Sequence, residues 1–352
     1  MSSRNVTNKP WVEKYRPATL DDIVHHNEVV SVLKQTLVTN DFPNLLLYGP
    51  PGTGKTSSIM ALARAMFGSR CDGRVLHLNA SDERGINVIR ERVRRFAQSV
   101  PMSFSGGDLT SSLGSNQQSR PRLVANLKLV ILDEADSMTS AAQACLRRTM
   151  EIYSKTTRFC LICNYISRII EPIASRCSKF RFQSITEPLM RERLDFICKN
   201  ENVQYSDPKV LDHLISVCDG DLRQAITTLQ SAHRLAGPNN SIDLDLIHEV
   251  SGFIPRRQIN RFVAVCRSRS LDRMEEYLTD LINEGYTASQ FVSQIHEWLL
   301  TQSMISDFNL SKILQALALA EHRFCDGSDE YIQLLYVASV IMKNFDSVNA
   351  SQ

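Results

Sequence analysis

The sequence predicts an α/β core followed by regions built of helices alone. Two observations carry the core. The apolar run Leu45–Tyr48 opens into Gly49-x4-Gly54-Lys55-Thr56, and a second apolar run, 127–132, ends in Asp133-Glu134. A third carries the rest: after Glu187 strand signals fade, and apolar residues recur at helical spacing to the end of the chain.

Composition bounds the reading. A length of 352 residues suffices for two or three domains. A hydrophobic content of 43% with 22% charged residues is ordinary for a soluble globular protein. No apolar run reaches the length of a membrane span, so no membrane partner is expected. Residues 1–10 are polar and lack the apolar centre of a signal peptide. The nine cysteines are odd in number and scattered, which predicts reduced thiols in a reducing compartment. A net charge of +2 confines any nucleic-acid surface to a local patch.

The elements follow in order. Pro10 and Pro17 flank Trp11, Val12, Tyr15 and Arg16, and residues 10–17 are expected to be extended. These side chains suit either docking on the core or lining a base pocket; spacing alone favours docking. Residues 29–37 have the pattern of an amphipathic helix. In the glycine-rich stretch, Gly49, Gly52 and Gly54 allow backbone N–H groups to turn inward around phosphate oxygens. A helix over 57–67 would add the partial positive charge of its N-terminus. Lys55 can reach the β- and γ-phosphates, and the Thr56 hydroxyl can ligate Mg2+.

Residues 75–79 read as a second strand and 86–97 as a helix carrying Arg90, Arg92, Arg94 and Arg95. Arg90 and Arg94 share one helical face and can track a phosphate backbone, although such a cluster taken alone is more often a solvated face. Residues 103–122, rich in Ser, Gly, Gln and Asn, are expected to form a mobile surface loop.

The acidic pair after strand 127–132 suits metal and water chemistry. Asp133 would hold Mg2+, and Glu134 would orient and deprotonate the attacking water. Asp133-Glu134-Ala135-Asp136 also spells a helicase signature, but the Ser-Ala-Thr element expected beside it is absent. Strand 158–164 ends in Asn164, whose amide can bind the γ-phosphate or its water; alone, it is equally a turn former. Cys160 and Cys163 lie three apart on that strand, hence on opposite faces. They are expected to be buried free thiols rather than zinc ligands. Arg176 falls in a loop before a short strand signalled by Phe180-x-Phe182, and is either a surface arginine or an arginine finger.

Helical patterns over 189–201, 207–218 and 221–235 form a three-helix unit. Asp221 caps the last of these, placing Arg223 near the helix start, where it opposes the dipole. After a turn at 237–240 and a linker at 252–255, residues 256–345 are helical throughout, with apolar stripes suited to packing or oligomerisation.

Phosphate loop, acidic strand, asparagine strand and arginine loop occur here in the order found in AAA+ ATPases. Trp11-Val12-Glu13-Lys14-Tyr15-Arg16-Pro17, Leu78-Asn79-Ala80-Ser81-Asp82-Glu83-Arg84-Gly85, Ser175-Arg176-Cys177 and Gly220-Asp221-Leu222-Arg223 make the likeness specific. Nearly the whole chain resembles the small ATPase subunits of the replication factor C clamp loader. The resemblance implies a parallel sheet with flanking helices over 1–184, a helical lid over 185–250 and a C-terminal helical collar over 251–352. It further implies nucleotide contacts from Val12 and Arg16, and a phosphate loop of Gly49, Pro50, Pro51, Gly52, Thr53, Gly54, Lys55, Thr56 and Ser57. Asn164 and Arg223 match the two sensors. Arg176 matches a finger acting on the ATP of an adjacent subunit. Arg84, Arg90 and Arg94 fall where such subunits follow DNA, reversing the solvated-face preference.

The expected cofactors are ATP and Mg2+. The expected partners are the other subunits of a hetero-pentamer, the sliding clamp (PCNA) and primer–template DNA, in the nucleus, for replication and repair. A non-hydrolysing scaffold subunit would lack Glu134, which is present. A helicase or translocase of the same group calls for a basic winged helix in place of the helices after 256.

Overall fold

The computed structural model describes residues 9–23, 27–39, 42–68, 71–81, 86–99, 127–237, 240–301 and 306–344. The chain separates into two compact units: residues 1–202 with 214–227, and residues 203–213 with 228–352.

The first unit opens with α1 (Trp11–Lys14), a helical turn where the prolines led to an expectation of extended chain. The difference has a simple cause. Pro10 stands outside the turn with φ −54° and ψ 143°, and its carbonyl accepts the N–H groups of Glu13 and Lys14 at 3.0 Å. A proline at a helix start forfeits no helical hydrogen bond. After α2 (Asn27–Thr39) come β1 (Leu45–Tyr48), α3 (Lys55–Phe67), α4 (Cys71–Arg74), β2 (Val75–Asn79) and α5 (Ile86–Gln98). Then follow β3 (Lys128–Asp133), α6 (Ser140–Ile152), β4 (Thr157–Cys163), α7 (Glu171–Ala174), β5 (Ser178–Arg181) and α8 (Glu187–Glu201). The stretch 103–122 lies outside the described residues.

The strands form one parallel sheet in the order β2-β3-β4-β1-β5. Both faces of its central strands are covered, which explains the unbroken apolar runs in β1 and β3. Leu45, Leu47, Ile131, Cys160 and Ile162 pack with Ile59 and Leu62 of α3. On the other face Leu46, Val130, Leu132, Leu161 and Cys163 pack with Leu146 and Met150 of α6. Cys160 and Cys163 therefore do point to opposite faces as free, buried thiols, and burial pushes the Cys163 thiol up to about 12.

Lys128, at the start of β3, is buried and donates to the Phe96 carbonyl at 2.6 Å, the Ser99 hydroxyl at 2.9 Å and the Ser99 carbonyl. Those acceptors compensate the desolvated ammonium and tie the C-terminal end of α5 to the sheet.

α9 (Lys209–Val217) and α10 (Leu222–Ala236) contribute residues to both units. The second unit continues with α11 (Leu244–Ser251), a helix not expected between the 237–240 turn and the 252–255 linker. The Asp243 carboxylate caps it at the Leu244 N–H. α12 (Arg256–Ser268), α13 (Leu271–Asn283), α14 (Ala288–Leu300), α15 (Asp307–Cys325) and α16 (Glu330–Asn344) realise the predicted stripes. Their core holds Phe262 edge-on to Phe291 at 5.0 Å, and the buried Tyr277 hydroxyl donates to the Gln258 carbonyl at 3.0 Å. Among the described residues, no helix is long and apolar enough to cross a membrane.

Candidate nucleotide site

The site forms where the parallel strands of the first unit end, the edge at which open α/β sheets bind ligands. Tyr48 of β1 pairs with Cys163 of β4, so Gly49 and Asn164 leave the sheet side by side. Gly49 has φ +147°, and a Cβ there would stand 2.1 Å from the Phe182 carbonyl oxygen, so no larger residue fits. The Thr53 hydroxyl donates to the Pro50 carbonyl at 2.9 Å and closes the turn. α3 begins at Lys55, two residues earlier than expected, and its first-turn N–H groups are available to an anion.

Lys55 is only 7% exposed. Its ammonium donates to the carbonyls of Gly49 at 2.8 Å and Pro50 at 2.6 Å, and to Asn164 Oδ1 at 3.1 Å. Burial lowers its pKa, with the Asp133 carboxylate opposing. A phosphate replacing these neutral acceptors would supply the counter-charge the ammonium lacks. The Thr56 hydroxyl donates to Asp133 Oδ2 at 2.8 Å, and the Glu134 N–H donates to Asp133 Oδ1 at 3.0 Å. Burial works to raise the Asp133 pKa, but the His77 ring 3.7 Å away and hydrogen bonds from the Thr56 hydroxyl and the Glu134 N–H hold it below the usual carboxylate value. Two hard oxygen donors thus stand together, the donor set that suits Mg2+.

These residues line a cavity of ≈ 310 Å³. Pro51, Gly52, Thr53, Gly54, Lys55, Thr56, Ser57, Asp133, Glu134 and Asn164 form its phosphate side. Val12, Tyr15 and Arg16 at α1, Ile185 and Arg193 at α8, and Leu222, Arg223 and Ile226 of α10 form the other. The 10–17 stretch therefore does both things open to it: Trp11 is buried, while Val12 and Arg16 face the cavity. Arg16 Nε donates to the Ser57 hydroxyl at 3.3 Å. Asp221 accepts the N–H groups of Arg223 at 2.8 Å and Gln224 at 3.1 Å, the predicted cap.

Arg176 is not among the lining residues. β5 runs parallel to β1 with Leu45 opposite Ser178 and Tyr48 opposite Arg181. Arg176 therefore precedes the strand end opposite the phosphate loop, about 13 Å of strand away. It is half-exposed, paired with Glu151 at 2.9 Å and donating to the Pro172 carbonyl at 2.6 Å. Arg94 is exposed on α5; Arg84 and the side chain of Arg90 lie outside the described residues.

Sequence reasoning missed Arg193, Ile185 and Ile226, which no local motif marks. It also missed Asp136, whose carboxylate accepts the N–H groups of Asn164 at 3.2 Å and Tyr165 at 3.4 Å and so fixes the tip of β4. Its place in the acidic run was the available signal.

Three family models match in chain order. They are the ATPase family associated with various cellular activities over residues 45–185, the RCF1/5-like AAA+ ATPase lid domain over 192–234, and the replication factor C C-terminal domain over 254–340. The chain is 51% identical over 335 residues to replication factor C subunit 4 of Homo sapiens, covering 95% of this chain and 88% of that protein. It is 47% identical to subunit 4 of Arabidopsis thaliana, covering 95% and 94%, and 42% identical to subunit 2 of Saccharomyces cerevisiae, covering 95% and 93%.

Proposed function

The chain belongs to the replication factor C small-subunit family, and we propose that it is the subunit 4 type (subunit 2 in yeast), binding and hydrolysing ATP within a hetero-pentameric clamp loader. ATP binding orders the ring so that it grips an opened sliding clamp (PCNA) and primer–template DNA. Hydrolysis releases both and leaves a closed clamp on DNA in the nucleus. The division is a nucleotide core over 1–184, a lid over 185–250 and a collar over 251–352, a reading supported by the order of the matched models.

One observation carries the catalytic part: Lys55, Thr56, Asp133, Glu134 and Asn164 converge on one cavity at the loop edge of the sheet. Lys55 exchanges the Gly49 and Pro50 carbonyls for β- and γ-phosphate oxygens. Thr56 and Asp133 hold Mg2+, which when bound supplies positive charge against the phosphates. Glu134 accepts the proton of the attacking water, and Asn164, fixed by Asp136, orients the γ-phosphate or that water. Val12 and Arg16 contact the nucleotide from one side and Arg223 from the other. The neighbour-directed role of Arg176 is supported by its place at the opposite strand end, since a finger needs a phosphate to reach and its own lies across the sheet. Arg84, Arg90 and Arg94 follow the DNA backbone.

The test is a reconstituted loader carrying Lys55→Ala. It should lose labelled ATP on this subunit and load PCNA onto primed DNA more slowly than wild type. Unchanged ATP loading on this subunit would overturn the site; unchanged clamp loading would overturn its role.

A further inference from the structure

The nucleoside side of the cavity rests on an element too small to stand alone. α1 is a single turn, and a turn of that length has no stability of its own in water. The burial of Trp11 anchors its first residue. Its other end is fastened to α8. Glu201, the last residue of α8, is 17% exposed and accepts from the Lys14 ammonium at 2.5 Å and the Tyr15 hydroxyl at 2.6 Å through the same oxygen. Arg193, earlier on α8, donates to the Tyr15 carbonyl at 2.8 Å, and the Tyr15 ring stands edge-on to Phe196 at 6.2 Å.

We propose that Glu201 is a positioning residue for nucleotide binding: it clasps Lys14 and Tyr15 onto α8 and so holds the Val12, Tyr15 and Arg16 wall against the base and ribose. The proposal deepens the ATP-site reading and rests on it. Glu201 is not itself a lining residue of the cavity. The phosphate side is built from the β1–α3 loop, Asp133 and Asn164 and meets the clasped segment through one long contact, Arg16 to the Ser57 hydroxyl at 3.3 Å, so the clasp acts chiefly on the other end of the ligand. It also ties base grip to the position of α8, because α8 carries the anchor and supplies Arg193 to the cavity directly.

The experiment measures ATP affinity of the full-length chain, and in competition the affinity of inorganic tripolyphosphate, which has no base or ribose. Glu201→Ala should raise the Kd for ATP about ten-fold, a common result of losing hydrogen bonds to a charged group, and leave tripolyphosphate unchanged within about two-fold. Glu201→Gln should fall between, since its amide oxygen still accepts from Tyr15 but no longer pairs with the Lys14 charge. Lys55→Ala, as control, should weaken both ligands. Should Glu201→Ala fail to fold, Lys14→Met, at a residue outside the cavity lining, removes one arm of the clasp and carries the same expectation at about three-fold. An unchanged ATP Kd, or equal loss of both ligands, would overturn the proposal. Absence of ATP binding to the wild-type chain would instead overturn the site.

Discussion

Gly52→Ala reads the coupling between the phosphate loop and the start of α10 in the nucleotide-free protein. Gly52 has φ +70°, and a Cβ there would lie 1.8 Å from Asp221 Oδ1 and 2.4 Å from its carboxyl carbon. Alanine therefore meets two costs. Holding a left-handed conformation costs an L-residue about 1–2 kcal/mol. Displacing Asp221 breaks the cap on the Arg223 and Gln224 N–H groups, which costs about 1 kcal/mol. Their sum, about 2–3 kcal/mol, should lower the urea midpoint of the first unit by roughly 1 M or more at ordinary slopes. The chain has two tryptophans, and Trp298→Phe leaves Trp11, buried in the first unit, as reporter. Asp221→Ala in the same background completes a cycle. Because it removes the clashing carboxylate, the double variant should lose about 1 kcal/mol less than the sum of the singles. Strict additivity, or an unshifted midpoint for Gly52→Ala, would refute the contact.

Two further outcomes follow from the same site. Arg176→Ala should leave ATP binding to this subunit nearly intact, while hydrolysis at a neighbouring subunit falls by about 10³ or more; complexes in which each site is silenced by its own phosphate-loop lysine mutation locate the defect, and a loss confined to this chain's own ATP contradicts the assignment. Arg84→Ala, Arg90→Ala and Arg94→Ala together should weaken primer–template binding about equally for all sequences and flatten its salt dependence by roughly one unit of slope for each phosphate no longer neutralised; an unaltered slope returns these arginines to the solvent.

The core was legible because its signals are local. A parallel strand buried on both faces writes itself as an apolar run, and β1 and β3 did so to within a residue. The phosphate loop, the Asp133-Glu134 pair and the Asp221 cap each act over a few residues of chain, and the structure places all of them at or beside one cavity. Errors arose where local rules compete. The prolines around Trp11 read as extended because their exclusion from helix interiors was applied to a turn that begins after Pro10 and ends before Pro17. α11 was lost between two turn signals because its eight residues give too few periods for a pattern. Arg193, Ile226 and Glu201 were illegible for a different reason: their roles exist only once distant segments meet. The position of Arg176 is similar, since its separation from the phosphate loop depends on the β1–β5 register.

The central claim, that this chain hydrolyses ATP in its own cavity, is tested most directly by single-turnover hydrolysis in a loader carrying Glu134→Gln. Glu134 lines the cavity beside Asp133, and a glutamine keeps its size while losing the base. The variant should bind ATP at this subunit with wild-type affinity, hydrolyse it at least about a hundred-fold more slowly, and hold PCNA and DNA correspondingly longer. Hydrolysis at this subunit at the wild-type rate would contradict the account.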